Sequence, residues 1–354
     1  MTIPRPRLIL MTALALLSTV LAAGAASAPS TFSSYFTGPA GRNVILPTGS
    51  NRMLLGVAQT GTDASVARDV RSLEASIGRA LDIEHLFMQG TCSLRLDRLR
   101  AVVARGHVPL VSWLPVQTNG GAILRGEADD CIRTVGRQIG RQPARLFLRP
   151  YWEFNGDWLA HSRDVDGSLL TPEEHKAMWR RTVDVLAAAG AFPNTSIVWC
   201  PEEGHYGNGD GFDERLAYPG DRYVDWVCAD GYNWNRAESW CGAHGNPRQG
   251  WCEFAEIFHD TVSPGGNVEM DFRGRKPFMV GETGSTEGQH ARKGEWFRKA
   301  RDSIRKSMPG LRALVYFDMA YEASDWRIST SPSSFAGFAA LARSSALRPS
   351  VARR

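Results

Sequence analysis

The chain has 354 residues, 43% of them hydrophobic and 22% charged, a globular composition able to bury a large core in one large domain or two ordinary ones. Its formal net charge of +4 is mild, and Arg5, Arg7, Arg348, Arg353 and Arg354 near the ends supply much of it. No basic cluster tracks phosphates, which argues against a nucleic-acid partner.

In chain order, Arg5 and Arg7 precede the apolar stretch Leu8 to Leu21 and the small residues Ala22 to Ala28. Residues 1–28 therefore read as a secretory signal peptide, with cleavage after Ala25 favoured. The apolar run is shorter than the ~20 residues of a membrane span. The chain is thus expected to be secreted, free of the membrane after cleavage, and monomeric. Residues 29–50 read as a flexible leader and 344–354 as a disordered tail. Between them, eight continuous apolar runs stand out: Met53–Ala58, Ile83–Gln89, Val108–Leu114, Leu146–Pro150, Ser196–Cys200, Trp226–Ala229, Phe278–Gly281 and Leu314–Phe317. Such runs are how parallel strands buried on both faces read. Helical patterns separate most of them, over Val66–Leu81, Leu94–Arg105, Asp130–Ile139, Pro172–Ala189 and Glu295–Ser307. Alternation of this kind predicts βαβ units, and eight of them predict a single α/β domain, a (β/α)8 TIM barrel, over residues 51–343. An open doubly wound sheet is disfavoured, because no Gly-x-Gly-x-x-Gly loop follows the first run.

Export makes the six cysteines readable as disulfides, and no CxxC pair suggests zinc. Cys241 and Cys252 flank a Gly/Asn/Pro-rich stretch and are expected to staple it; Cys92 and Cys131 form the second expected pair. Cys200 and Cys228 could bridge or remain buried thiols.

Barrel active sites lie at the C-terminal ends of the strands. The polar residues there include Arg149, Trp152, Glu153, Asn155 and Trp158 after the fourth run, and Trp199, Glu202 and Glu203 after the fifth. Asp230 and Tyr232 follow the sixth run, Glu282 and Thr283 the seventh, and Asp318 and Trp326 the eighth; Gln59 and Trp113 lie near the ends of the first and third. Several carboxylates among Trp and Tyr faces suit glycosidic bond cleavage, which needs one carboxylic acid for the leaving oxygen and a second carboxylate as nucleophile or base. The 11 Trp fit that reading, since sugars present flat apolar faces. No HExxH spacing or GxSxG elbow competes, so no metal and no cofactor are expected. Glu202 and Glu203 follow Pro201 in a Gly/Asn-rich loop, where solvated side chains are the favoured reading.

Phe147-Leu-Arg-Pro-Tyr-Trp-Glu-Phe-Asn-Gly-Asp-Trp158 resembles the strand-four motif of glycoside hydrolase family 26, and Pro277-Phe-Met-Val-Gly-Glu-Thr-Gly284 resembles its strand-seven segment. Val111-Ser-Trp113, Val198-Trp199, Asp230-Gly-Tyr-Asn233 and Asp325-Trp-Arg327 are similar to its other strand ends, in order, over about Met53 to Leu341. The resemblance implies a retaining enzyme with Glu153 as acid/base and Glu282 as nucleophile. Arg149 would pair with Glu282 and keep it ionised, and Tyr232 would orient it. Glu153 would need apolar neighbours such as Trp152 or Phe154 to hold its proton. Trp158, Trp199 and Trp326 would line sugar subsites, with Trp113, Trp152 and Asn155 also on the substrate side. The implied partner is a polysaccharide, β-1,4-mannan first, with mixed-linkage β-glucan, β-1,3-xylan or a non-catalytic sugar-binding role as alternatives. One departure bears on substrate: family 26 mannanases usually carry His before the acid/base Glu, and this chain has Trp152.

Overall fold

The computed structural model describes residues 37–38, 42–47, 53–59, 61–116, 119–192, 194–203, 212–235, 250–258, 267–288, 291–321 and 324–344. The signal peptide, the tail from 345 and Cys241 of the expected Cys241–Cys252 staple lie outside them. All of the described residues fall in one compact unit.

Eight strands run parallel and close on themselves: β1 (Leu54–Ala58), β2 (Ile83–Met88), β3 (Val108–Trp113), β4 (Leu146–Pro150), β5 (Thr195–Trp199), β6 (Trp226–Asn233), β7 (Phe278–Ser285) and β8 (Leu311–Phe317), with β8 pairing β1. The (β/α)8 barrel expected from the apolar runs is the fold found. Its strands are buried almost throughout because helices cover the outside and side chains fill the inside. Two strands outrun their apolar signal. β6 continues through Asp230 to Asn233 and β7 through Glu282 to Ser285, so their polar residues belong to the ladder rather than to loops beyond it.

The helices start where local chemistry allows. Helix α1 (Asp63–Ile77) is capped by the Thr62 hydroxyl accepting from the Ser65 amide and ends at Gly78 in the left-handed region. Helices α2 (Leu96–Ala104) and α3 (Asp129–Gly140) follow β2 and β3. Helix α4 (Pro172–Ala188) opens with a complete capping box between Thr171 and Glu174 and buries Met178, Trp179, Thr182, Val183 and Leu186 on one face. After α5 (Lys293–Ser307) the barrel closes with α6 (Pro332–Ala342). The helical reading did not include α6, whose Ser331 cap and Pro332 start precede an almost wholly apolar segment without a helical stripe.

One expectation is corrected at the bottom of the barrel. Within the span read as a flexible leader, Val44, Ile45 and Leu46 are buried. The Ile45 amide donates to the Ser196 hydroxyl at 2.9 Å, and the Trp226 indole donates to the Ile45 carbonyl at 2.8 Å. Both partners lie at the N-terminal ends of their strands, so this segment closes the floor opposite the site. The Cys92–Cys131 disulfide is formed as expected, and Cys200 and Cys228, left open by the sequence, are bridged.

Candidate active site

The site is built on β4, β6 and β7. Arg149, the penultimate residue of β4, is completely buried and serves as its hub. Its Nη1 donates to both oxygens of Asp230, at 2.7 and 2.6 Å, and its Nη2 donates to Oε1 of Glu282. Its Nε donates to the Ser112 hydroxyl at 2.8 Å, and Nη2 also lies 3.2 Å from Nε2 of His85. Ser112 Oγ is 2.7 Å from the same His85 nitrogen. Because the Arg149 nitrogen can only donate, His85 Nε2 is the acceptor, which assigns the imidazole proton to Nδ1. Burial first, and then the Arg149 charge, hold His85 well below the ordinary imidazole range, so it is neutral.

Glu282 lies opposite Asp230 in the β6–β7 ladder, where a register shift after Ala229 aligns the two. Its second oxygen accepts from the Tyr232 hydroxyl at 2.7 Å. Asp230 and Tyr232 are two residues apart and share a face of β6. Burial, opposed by Arg149 and reinforced by Glu282, pushes the Asp230 carboxyl well up. Gly281 is required here: a Cβ would lie 2.3 Å from Cys228 Sγ and 2.8 Å from both Arg149 Nη1 and Asp230 Oδ1.

Glu153 arrives by a different route. The chain leaving β4 puts both Tyr151 (φ 52) and Glu153 (φ 53) in the left-handed region, at a cost of about 1–3 kcal/mol each. That turn is held by the Glu153 amide donating to the Cys200 carbonyl at 2.8 Å and the Gly156 amide donating to the Glu153 carbonyl at 3.0 Å. Trp158 Nε1 donates to Glu153 Oε2 at 3.1 Å, and Gly156 makes room for the indole, since a Cβ there would sit 2.3 Å from its ring. Burial, and then the Glu282 and Glu202 carboxylates, push the Glu153 carboxyl up to about 8. One oxygen each of Glu153, Asp230 and Glu282 lie within 4.8 Å of one another. Three converging carboxylates could attract a cation, but the Arg149 guanidinium already bonds two of them. The second group of potential ligands, Cys200, Cys228 and Asp230, is spent on a disulfide.

Around the pair the structure sorts the expected residues. Arg149, Tyr232, Glu153 and Glu282 come together, with Trp158 49% exposed beside Glu153. Trp152 is buried under Phe87, whose ring is 5.9 Å away. Trp113 and Trp199 are core residues, contrary to expectation. Trp113 is completely buried and donates to the Thr91 carbonyl, and Trp199 is enclosed by Phe154, Tyr218 and Phe272. Trp326 is also buried, packed under Tyr232, Trp234 and Phe317, so none of the three offers a free ring face. Asn155 spends its side chain internally, donating to the Glu202 carbonyl and Glu214 Oε1 and accepting from the Glu202 amide. It fixes the loop after β5 rather than facing a ligand. Glu203, read as a solvated loop residue, is buried. Sequence reasoning passed over His85, Ser112 and the 37%-exposed Phe87. Polar residues inside apolar runs, at the strand period that faces the barrel interior, were the available signal.

The chain is thus a closed (β/α)8 barrel with one glutamate in the turn leaving β4 and another on β7, each bringing an oxygen within 4.8 Å of the other. Residues 120–245 match the model of Glycosyl hydrolase family 26, the family that the motifs after the fourth and seventh runs resemble. It is 31% identical over 285 residues to Endoglucanase H of Acetivibrio thermocellus, covering 79% of this chain and 29% of that relative's length. Its fold is that of a modular endo-β-1,4-mannanase from Cellulomonas fimi (TM-score 0.58, 17% identity, 85% of this chain and 72% of the other). It is equally close to a family 26 β-mannanase from Bacteroides ovatus (TM-score 0.58, 16% identity, 84% and 90%).

Proposed function

We propose that this chain is a secreted retaining endo-β-glycoside hydrolase, with Glu153 as acid/base and Glu282 as nucleophile. The observation that carries the reading is the asymmetry between two carboxylates whose oxygens lie within 4.8 Å. Glu282 receives donors on both oxygens, from Arg149 and Tyr232, as an attacking carboxylate requires. Glu153 has burial and negative neighbours that favour its protonated form. Glu153 gives its proton to the glycosidic oxygen while Glu282 attacks the anomeric carbon, forming a glycosyl ester. Glu153, now a carboxylate, then takes a proton from the water that hydrolyses the ester. The separation suits retention, for which carboxyl groups lie about 5–5.5 Å apart, better than inversion, which leaves room for a water between them.

β-1,4-Mannan is the first substrate to test. β-Glucan is the second reading, favoured by Trp152 at the position where mannanases of the family carry His and by the endoglucanase name of the 31%-identical relative. Two disulfides support export to an oxidising compartment; among the described residues no helix is long and apolar enough to cross a membrane. The test is a reducing-sugar assay on mannan, glucomannan, lichenan and xylan, with the anomer of the first product read by NMR. The expected result is release of the β-anomer and complete loss of turnover in Glu282→Ala with sugar binding kept. Unchanged turnover in that variant, or an inverted first product, would overturn the assignment.

A further inference from the structure

Beneath the two glutamates the Cys200–Cys228 disulfide joins the end of β5 to β6. It is fully buried, and each half touches a different arm of the site. On the Cys200 side, the carbonyl accepts the Glu153 amide at 2.8 Å, the bond that holds this residue in its left-handed conformation. On the Cys228 side, the chain reaches Asp230 two residues later, and Asp230 grips the Arg149 guanidinium that donates to Glu282. The sulfurs themselves lie against this network. Arg149 Nη1 is 3.5 Å from Cys200 Sγ, and a side chain at Gly281, next to the nucleophile, would meet Cys228 Sγ at 2.3 Å. The β5–β6 ladder is thin here: only Val198–Trp226 and Trp199–Val227 pair as strands, followed by the bridge between Glu202 and Asp230. The covalent link sits between the last strand pair and that bridge, where the Asp230 amide donates to the Pro201 carbonyl at 3.1 Å and the Glu203 amide to the Asp230 carbonyl at 2.8 Å, and so ties the two segments where their pairing is thinnest.

We propose that Cys200 and Cys228 are positioning residues for both catalytic glutamates, their disulfide fixing the Glu153 backbone against the Arg149–Asp230–Glu282 network. The proposal rests on the function assigned above. A merely structural bridge would lower the melting temperature and leave chemistry intact. A positioning bridge sets the distance between acid and nucleophile, and misplacement on the order of 1 Å can cost about 100-fold in rate.

The experiment compares the full-length chain with Cys200→Ser/Cys228→Ser and Cys200→Ala/Cys228→Ala, assayed well below their melting temperatures. Cys92→Ser/Cys131→Ser serves as the control for loss of a distant bridge. The expected result is a fall in kcat of about 10- to 100-fold with KM changed less than about threefold in both Cys200/Cys228 pairs, and kcat near wild type in the control. The Glu153 titration, followed by carboxyl carbon NMR, is expected to move down toward the ordinary carboxyl range as the turn loosens and water enters. Folded variants with wild-type kcat and an unmoved Glu153 titration would overturn the proposal. Because the titration does not depend on turnover, it tests the positioning even if wild-type protein hydrolyses none of the polysaccharides, a result that would instead overturn the proposed function.

Discussion

Arg149 divides its guanidinium between two carboxylates, giving Nη1 to both oxygens of Asp230 and Nη2 to one oxygen of Glu282. It is completely buried, and both acids are nearly so. Burying this many charges is tolerable because every Arg149 nitrogen has a partner and the pair of acids is bonded on several sides. Arg149→Lys keeps a positive charge but cannot reach both acids and Ser112 at once. A loss in kcat on the order of 100-fold is expected. Arg149→Met leaves Asp230 without its counter-charge and is expected to cost about 3–5 kcal/mol of stability. Steady-state kinetics and thermal melts of the two variants check both figures; a Lys variant with wild-type kcat would refute the shared-fork account.

The pH profile should follow Glu153. In its proposed role as the acid Glu153 must carry its proton, and the group is pushed up to about 8, so kcat/KM is expected to fall as pH rises through about 8. Trp158 donates to the charged form of Glu153 and so lowers its proton affinity. Removing that donor in Trp158→Phe should carry the descending limb to higher pH. Gly156→Ala should act in the same direction, because the new methyl occupies the space of the indole ring. A kcat/KM profile from about pH 5 to about pH 10 reads both, and a limb that stays in place in both variants would detach Trp158 from the acid.

Glu153 also makes stability depend on pH. Its folded-state value is raised from 4.5 to about 8. Between those limits the folded protein binds the Glu153 proton more tightly than the unfolded chain, so stability falls as pH rises through that window. Glu153→Gln cannot ionise. It should be inactive yet more stable than wild type at neutral and alkaline pH, with the difference vanishing in acid. Melting temperatures of the two proteins across pH would show parallel curves if the carboxyl carried no such penalty.

His107 works in the opposite sense at the other end of the barrel. It is buried just before β3, with Nδ1 2.5 Å from Glu84 Oε1 and Nε2 2.9 Å from Glu74 Oε1, while Arg105 also grips Glu84. Burial lowers its proton affinity, but the hydrogen bonds to Glu74 and Glu84 outweigh it and raise the group above the ordinary 6.5. The stability this adds is complete below about 6.5 and is lost as pH rises through the raised value. His107→Gln should remove that loss while leaving kcat unchanged, because His107 lies before the start of β3, at the end of the barrel opposite Glu153 and Glu282. A wild-type melting temperature that does not fall across this range relative to the variant would show that His107 is neutral in the folded protein.

Residue order carried the architecture because periodicity is a local property. Eight apolar runs alternating with amphipathic segments admit few arrangements, and a closed parallel barrel satisfies them all. It also carried Glu153, Arg149 and Glu282, since each stands at or near the C-terminal end of such a run. Residue order did not carry the destination of individual Trp side chains. Trp158 and Trp199 follow similar apolar runs, yet the first is half exposed and the second is completely buried. That outcome depends on neighbours distant in the chain, such as Phe272 beside Trp199. The roles of Asp230, Ser112 and His85 were hidden for the same reason. A polar residue inside a strand becomes part of a site only when closure of the barrel points it at Arg149. The same holds for the two glutamates, 129 positions apart in number (282 minus 153). Their residue types and strand ends are written in the chain. Their approach to within 4.8 Å, and the burial and hydrogen bonding that set one carboxyl to hold a proton and the other to accept donors on both oxygens, come from tertiary packing alone, because desolvation and charge proximity exist only once the barrel has closed.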